Sequence, residues 1–100
     1  MAGWTKEMAF WPEEVAELVA RRLRAEGWSC RSETVADRIC LKAEGPGGGA
    51  LELEAAALPD HRPGGALRLP RSRVTAQWET PDGGAGVAEM LRLALLRGGG

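Results

Sequence analysis

The sequence has few of the side chains that most often perform catalysis. Its 100 residues include one His, two Cys, two Lys and no Tyr. General acid–base and nucleophilic catalysis draws mainly on these residue types and on carboxylates that they position. We therefore expect no catalytic residues, and we interpret the chain as a non-catalytic protein without a cofactor.

Long apolar runs are missing as well. No segment approaches the ~20 apolar residues that a membrane-spanning helix needs. A signal peptide has a basic head followed by an apolar stretch, and the N-terminus shows no such pattern. These features predict a cytoplasmic protein that does not enter a membrane.

The two cysteines predict neither a disulfide nor a metal site. Cysteines of a cytoplasmic protein are usually free thiols. Cys30 has the phase of the apolar positions around it and Cys40 has the opposite phase, so we expect the two thiols on opposite faces of a sheet. Two Cys and one His without C-x-x-C spacing also make a poor set of zinc ligands.

Charge is modest and unevenly distributed. The formal net charge is −1 and the charged fraction is 27%. Up to Ala57 the net charge is −3, and from Leu58 onward it is +2. Nucleic-acid-binding domains generally carry a stronger basic field, so the composition argues against nucleic acid as the partner.

Two segments have the spacing of amphipathic helices, Pro12–Glu26 and Val87–Arg97. Pro12 fits the first helical position, where its missing N–H costs nothing. Gly27 fits the position just after the helix, where a left-handed backbone is needed, and Trp28 is placed to close back over Leu23. Apolar residues recur at helical spacing along both segments.

Between the helices the apolar residues alternate with polar ones, which predicts strands. Gly45–Gly49 reads as a hairpin connection. Folding the chain about Gly47 sets Leu41 opposite Leu53 and Lys42 opposite Glu52, and both are favourable cross-strand pairs. Val35 is predicted on the apolar face together with Leu41.

The element order predicts an α+β fold. We expect a single domain over residues 1–100, a two-layer sandwich in which an antiparallel sheet of three to four strands carries the N- and C-terminal helices on one face. Residues 1–11 form a loosely ordered lead-in whose spacing suits a helix or a short strand. Residues 98–100 are expected to fray.

Two surfaces are candidates for binding. The first is an aromatic group ahead of the first helix, whose alternative role is to cap the core. It comprises Trp4, Phe10 and Trp11. On this basis the preferred function is a protein-interaction module or a homodimer, with a protein partner or a second copy of the chain.

The second surface is a basic cluster, which gives the alternative function of anion or nucleic-acid binding. It comprises Arg62, Arg68, Arg71 and Arg73. Acidic residues predicted on the same sheet face would repel phosphate. His61, next to Asp60, reads as a solvated loop residue because no nucleophile motif accompanies it, and the glycines of residues 83–86 read as a flexible turn.

Overall fold

The computed structural model describes residues 2–58, 70–81 and 85–96. In chain order it contains strand β1 (Ala2–Met8), helix α1 (Pro12–Ala25), strands β2 (Ser29–Val35), β3 (Arg38–Glu44), β4 (Ala50–Ala57) and β5 (Ser72–Glu79), and helix α2 (Ala85–Ala94). The predicted α+β class is confirmed. The predicted strand count is wrong, since the described residues already form a sheet of five strands, and the first of them precedes α1.

The sheet is antiparallel throughout, in the order β1-β5-β4-β3-β2. Strands β2 to β5 form a meander, and β1 joins it beside β5. Helix α1 therefore carries the chain from one outer strand of the described sheet to the other. This topology leaves β1 and β2 as the two edges.

Strand β1 replaces the loosely ordered lead-in that the sequence suggested. It pairs with β5 along its whole length, from Ala2 opposite Trp78 to Met8 opposite Ser72. The i, i+4 spacing of Trp4 and Met8 fits a strand as well as a helix. Four residues are two repeats of a strand and close to one 3.6-residue turn of a helix, so both structures place the two side chains on one face. Only the pairing with β5 decides between them.

Helix α1 begins and ends as its sequence predicts. Pro12 is its first residue, and the backbone N–H of Trp11 donates to the Glu14 carboxylate at 3.1 Å. At the other end Gly27 has φ +86°, and the Trp28 N–H donates to the Leu23 carbonyl at 2.9 Å. The Schellman motif satisfies a terminal carbonyl and turns the chain into β2.

One face of the sheet and the inner sides of both helices form a single core. Alternate residues of β3, β4 and β5 are buried, as the alternation predicts. The predicted hairpin register is confirmed, with Leu41 opposite Leu53 and Lys42 opposite Glu52. The core residues include Val15, Val19, Leu23, Leu41, Leu51, Leu53, Val74, Trp78, Leu91 and Leu95.

Val35 corrects one prediction. A two-residue turn at Ala36–Asp37 reverses the chain, and Val35 pairs with Arg38 across it. Because Arg38 lies on the polar face, so does Val35, which is 48% exposed. The alternation breaks at Asp37, one residue before β3 begins, but it does not reveal the tight turn, because Ala36 has φ +57° and alanine rarely adopts that conformation.

Candidate interaction surface

The sheet face opposite the helices carries polar and small residues, and we call it the open face. Its central strands present Cys40, Lys42, Glu52, Glu54 and Thr75, and shallow depressions run between them. None of these side chains is buried. The open face is therefore a part of the described molecule that no helix covers.

Most arginines of the described chain are already paired with carboxylates. Arg38 contacts Glu54 at 3.1 Å on the open face. The Arg92 guanidinium donates to Glu89 at 2.7 Å and lowers the pKa of that carboxyl. Pairs also join Arg21 to Glu17, Arg22 to Glu26 and Arg71 to Glu7. Exposed pairs of this kind contribute little stability, but they occupy the arginines.

Strand β2 is the most exposed element of the sheet. Every residue from Ser29 to Val35 is exposed except Cys30, which is half-buried against the core. On one side β2 pairs with β3, and no described strand pairs with its other side. An edge of this kind presents unpaired backbone N–H and C=O groups to any chain that can lie beside it.

The turn at Ala36–Asp37 determines which backbone groups of β2 point outward. In a two-residue hairpin, the Val35 carbonyl faces the Arg38 N–H across the turn. Hydrogen-bonded and non-hydrogen-bonded pairs then alternate along the ladder. This alternation directs the N–H and C=O groups of Cys30, Ser32 and Thr34 away from β3, toward the free edge.

The other outer strand, β1, differs from β2 at two charged residues, Lys6 and Glu7. Its Lys6 lies on the helix-covered side of the sheet, where its Nζ sits 5.0 Å from the centroid of the Trp4 ring. An inward-pointing charge on an edge strand opposes pairing with a further strand. Next to it, Glu7 is held by Arg71 at 3.4 Å.

The predicted aromatic surface is only partly present. Trp4 is half-buried and packs against the core, and Trp11 is 39% exposed. Phe10 is 6% exposed and belongs to the core, so its prediction as an exposed contact is corrected here. The position of Phe10 just before the cap of α1 predicts this burial, because a hydrophobic staple packs that residue against Val15, with which it shares the core.

Half of the predicted basic cluster lies outside the described residues, which exclude Arg62 and Arg68 as well as His61. Of the other two members, Arg71 is paired with Glu7, and Arg73 lies directly opposite Glu7 in the β1–β5 ladder. A carboxylate thus stands beside both arginines. Anion binding at this cluster stays a prediction.

The two cysteines lie on opposite faces of the sheet, as the alternation predicts. Cys30 pairs with Ala43 on the core face, and its Sγ is 3.8 Å from the Ala20 carbonyl oxygen. Cys40 lies on the open face between Glu33 and Glu54. Within residues 2–58, 70–81 and 85–96, no three His, Cys, Asp or Glu side chains group closely enough to hold a metal ion.

A cleft of about 470 Å³ lies at the end of the sheet where α1 stops and α2 starts. Trp28 forms one wall, close against Gly45 and Gly49, where a β-carbon on Gly45 would approach the ring to 2.9 Å. Val87 and Met90 of α2 form the other wall. Among the described residues that line it, the cleft is mainly apolar, and their one charged side chain is Glu26, which is paired with Arg22.

No protein-family model, curated protein or solved structure matches this chain. Function therefore has to be inferred from the surface itself. In the described residues, neither helix is long and apolar enough to cross a membrane.

Sequence reasoning missed the edge at β2. The pattern located a short strand near Trp28, but it could not show that this strand lies at the outside of the sheet. The one available signal was composition, since Ser29–Val35 is polar in both phases apart from Cys30 and Val35. A strand that is polar on both sides is typical of an edge.

Proposed function

We propose that this protein is a non-catalytic interaction module that binds an extended segment of a partner chain along β2. The segment adds a strand to the sheet and pairs with the outward backbone groups of Cys30, Ser32 and Thr34. In this mode of recognition the main chain supplies affinity and the alternate side chains supply specificity. The observation that carries the proposal is the exposure of six of the seven residues of β2, all but Cys30.

Strand β2 lacks the features that normally block such an edge. Ser29–Val35 contains no proline, and its ladder with β3 runs without a bulge from Ser29 opposite Glu44 to Val35 opposite Arg38. Its charged residues, Arg31 and Glu33, lie on the open face and not on the side of the helices. Natural sheets usually protect an edge with one of these features.

The aromatic residues provide a weaker basis for the same function. Trp4 already contacts the core and Lys6, and Phe10 is buried. Trp11 alone remains as an exposed aromatic of the predicted surface, and single exposed apolar residues are common on protein surfaces. We therefore place the binding function at β2.

A peptide-display selection tests the proposal. Extended peptides of random sequence are selected on the immobilised protein, and hydrogen exchange by NMR then locates the bound peptide. We expect the binders to slow exchange at the amides of residues 30, 32 and 34. Binders that protect only other surfaces, or no binder at all, would contradict the proposal.

Two substitutions at Ser32 provide the matched comparison. Ser32→Pro removes an outward N–H without removing a bond to β3, because edge positions of this kind tolerate proline. Ser32→Thr keeps the N–H and suits a strand. We expect the first change to abolish peptide binding and the second to preserve it, while exchange in β3 and β4 confirms that both variants are folded.

A further inference from the structure

We infer that the strand added at β2 is β2 of a second copy of this chain, paired antiparallel about a two-fold axis that passes through Ser32. The inference rests on the proposed function and names its partner. In the resulting dimer, Arg31 of each copy lies opposite Glu33 of the other. The two sheets join into one continuous sheet across the axis.

Antiparallel pairing restricts the registers that two identical strands can adopt. Paired residues share a face of the sheet, and side chains alternate between faces with a period of two. A two-fold axis must therefore pass through a residue, and only three central residues of β2 keep most of the strand paired. These are Arg31, Ser32 and Glu33.

Charge selects one register from these three. An axis through Arg31 sets Arg31 against its own copy, and an axis through Glu33 does the same for the two glutamates. Like charges directly opposite each other destabilise a sheet, whereas opposite charges stabilise it. The axis through Ser32 avoids both conflicts, forms two Arg31–Glu33 pairs and leaves none of the seven residues without a partner.

Neither charged side chain has an ion-pair partner in the part of the chain that the structure describes. Arg31 and Glu33 form no ion pair with any described residue, whereas Arg38 and Arg71 form such pairs. Arg31 moreover lies opposite Lys42 in the β2–β3 ladder, which is an unfavourable neighbour of the same sign. A carboxylate from a second copy would relieve this arrangement.

The backbone supports the same register. The outward N–H and C=O groups belong to Cys30, Ser32 and Thr34, and an axis through Ser32 pairs Ser32 with itself and Cys30 with Thr34. All three residues then exchange hydrogen bonds with the second copy. Arg31 and Glu33 fall at the non-hydrogen-bonded sites between them, where opposed side chains approach more closely.

Disulfide trapping determines which residue of β2 lies on the two-fold axis. Single cysteines are introduced by Ser32→Cys, Arg31→Cys or Glu33→Cys into a chain that carries Cys30→Ser and Cys40→Ser. With the axis at Ser32, the two copies of residue 32 have Cα atoms about 5.5 Å apart, within disulfide range. The two copies of residue 33 are about 8 Å apart, beyond it. We expect Ser32→Cys alone to crosslink efficiently.

A charge-exchange cycle tests the ion pairs, with dimer dissociation measured by sedimentation from about 10 µM to about 1 mM. Arg31→Glu or Glu33→Arg alone sets like charges opposite each other twice per dimer. We expect each to weaken the dimer about 10-fold or more. The double variant Arg31→Glu with Glu33→Arg restores complementarity and should bind within about 3-fold of the original chain.

The fold provides a control for Arg31→Glu. Because Arg31 lies opposite Lys42, this change improves the pairing inside the monomer while it weakens the dimer. A higher melting temperature at low concentration together with weaker dimerisation would exclude misfolding as the cause of the loss.

Each contrary outcome has a definite meaning. Crosslinking at residue 31 or 33, or charge variants that leave dimerisation unchanged, overturns the inferred register. A monomer throughout the concentration range overturns the second copy as partner. Larger assemblies in which β1 amides are also protected indicate β1–β2 pairing in open chains and overturn it too. In all these cases the peptide selection still decides the proposed function separately.

Discussion

The two outer strands of the sheet have the same length but opposite characters. Strand β1 places the charged side chain of Lys6 on the helix-covered side of the sheet, and its Glu7 forms an ion pair with Arg71. Strand β2 is exposed on both faces except at Cys30, and its Arg31 and Glu33 have no ion-pair partner in the described chain. Both present a free row of backbone groups. One edge of this small domain thus carries a charge that opposes pairing with a further strand, and the other edge, where we propose that a partner binds, carries none on its core side.

The comparison also bears on how stability is distributed. Strand β1 contributes Met8 to the core and lies beside the core residues Val74 and Ala76 of β5. Strand β2 contributes only Cys30, and that side chain is half-buried. Substitutions that disturb β1 should therefore cost folding free energy, while most changes along β2 should alter association alone.

The largest expected effect on folding is at Gly3. A β-carbon at this position would overlap the Ala76 carbonyl oxygen of the neighbouring strand. The overlapping atom belongs to the backbone of β5 and cannot rotate away as a flexible side chain can. Gly3→Ala therefore forces β1 away from β5. We expect a loss of about 2 kcal/mol or more in the free energy of unfolding, measured by urea denaturation.

Gly47 is the matched control for this prediction. A β-carbon there meets nothing within 4 Å. Gly47→Ala should change stability by less than about 0.5 kcal/mol. Equal losses at the two glycines would show that the close approach of β1 to β5 is unimportant.

The next largest loss of stability is expected at Ser72 of β5, which holds the chain just after the end of β1. Ser72 is fully buried, and its hydroxyl donates to the Phe10 carbonyl at 2.5 Å. Ser72→Ala leaves that carbonyl without its donor, at a cost of about 1–2 kcal/mol. Ser29→Ala makes the same change on exposed β2 and should cost less than about 0.5 kcal/mol. Thermal unfolding of the two variants side by side measures the contrast between the edges.

A smaller effect of opposite sign is expected at the β2–β3 turn. Ala36 has φ +57°, a conformation that costs alanine about 1 kcal/mol and glycine almost nothing. Ala36→Gly should therefore raise the free energy of unfolding by about 0.5–1 kcal/mol. Ala50→Gly, at the exposed first residue of β4, should lower it by up to a similar amount. A destabilised Ala36→Gly variant would contradict the strain assigned to this turn.

The regular parts of the fold were predictable because local chemistry determines them. The ends of α1 follow from Pro12 and Gly27, and the β3–β4 register follows from the glycines around Gly47 and from matching apolar phases. In each case the residues that decide the structure are neighbours in sequence. Of the elements in the described residues, the two helices and four of the five strands could be located in this way.

Strand β1 and the free edge at β2 could not be predicted, because both depend on contacts distant in sequence. Residues 2–8 become a strand only because β5, some seventy residues later, is available to pair with them. Strand β2 is an edge only because β1 joined the sheet on the other side. The predicted binding residues were accordingly placed among aromatics and arginines, while the candidate edge is formed mainly by backbone.

The smallest effect is expected at Lys6, and it is the most direct test of the difference between the edges. Lys6→Thr removes the contact of the ammonium group with Trp4, which is worth about 0.5 kcal/mol at an exposed site, so folding should hardly change. The substitution also removes the inward charge and leaves a side chain that favours strands. Combined with Ser32→Pro, which blocks β2, it should produce self-association through β1 that Ser32→Pro alone does not show. Sedimentation measures the association, and exchange of the β1 amides locates it. If the double variant stays monomeric, the protection of β1 comes from its close pairing with β5 and the Arg71–Glu7 contact, and not from Lys6.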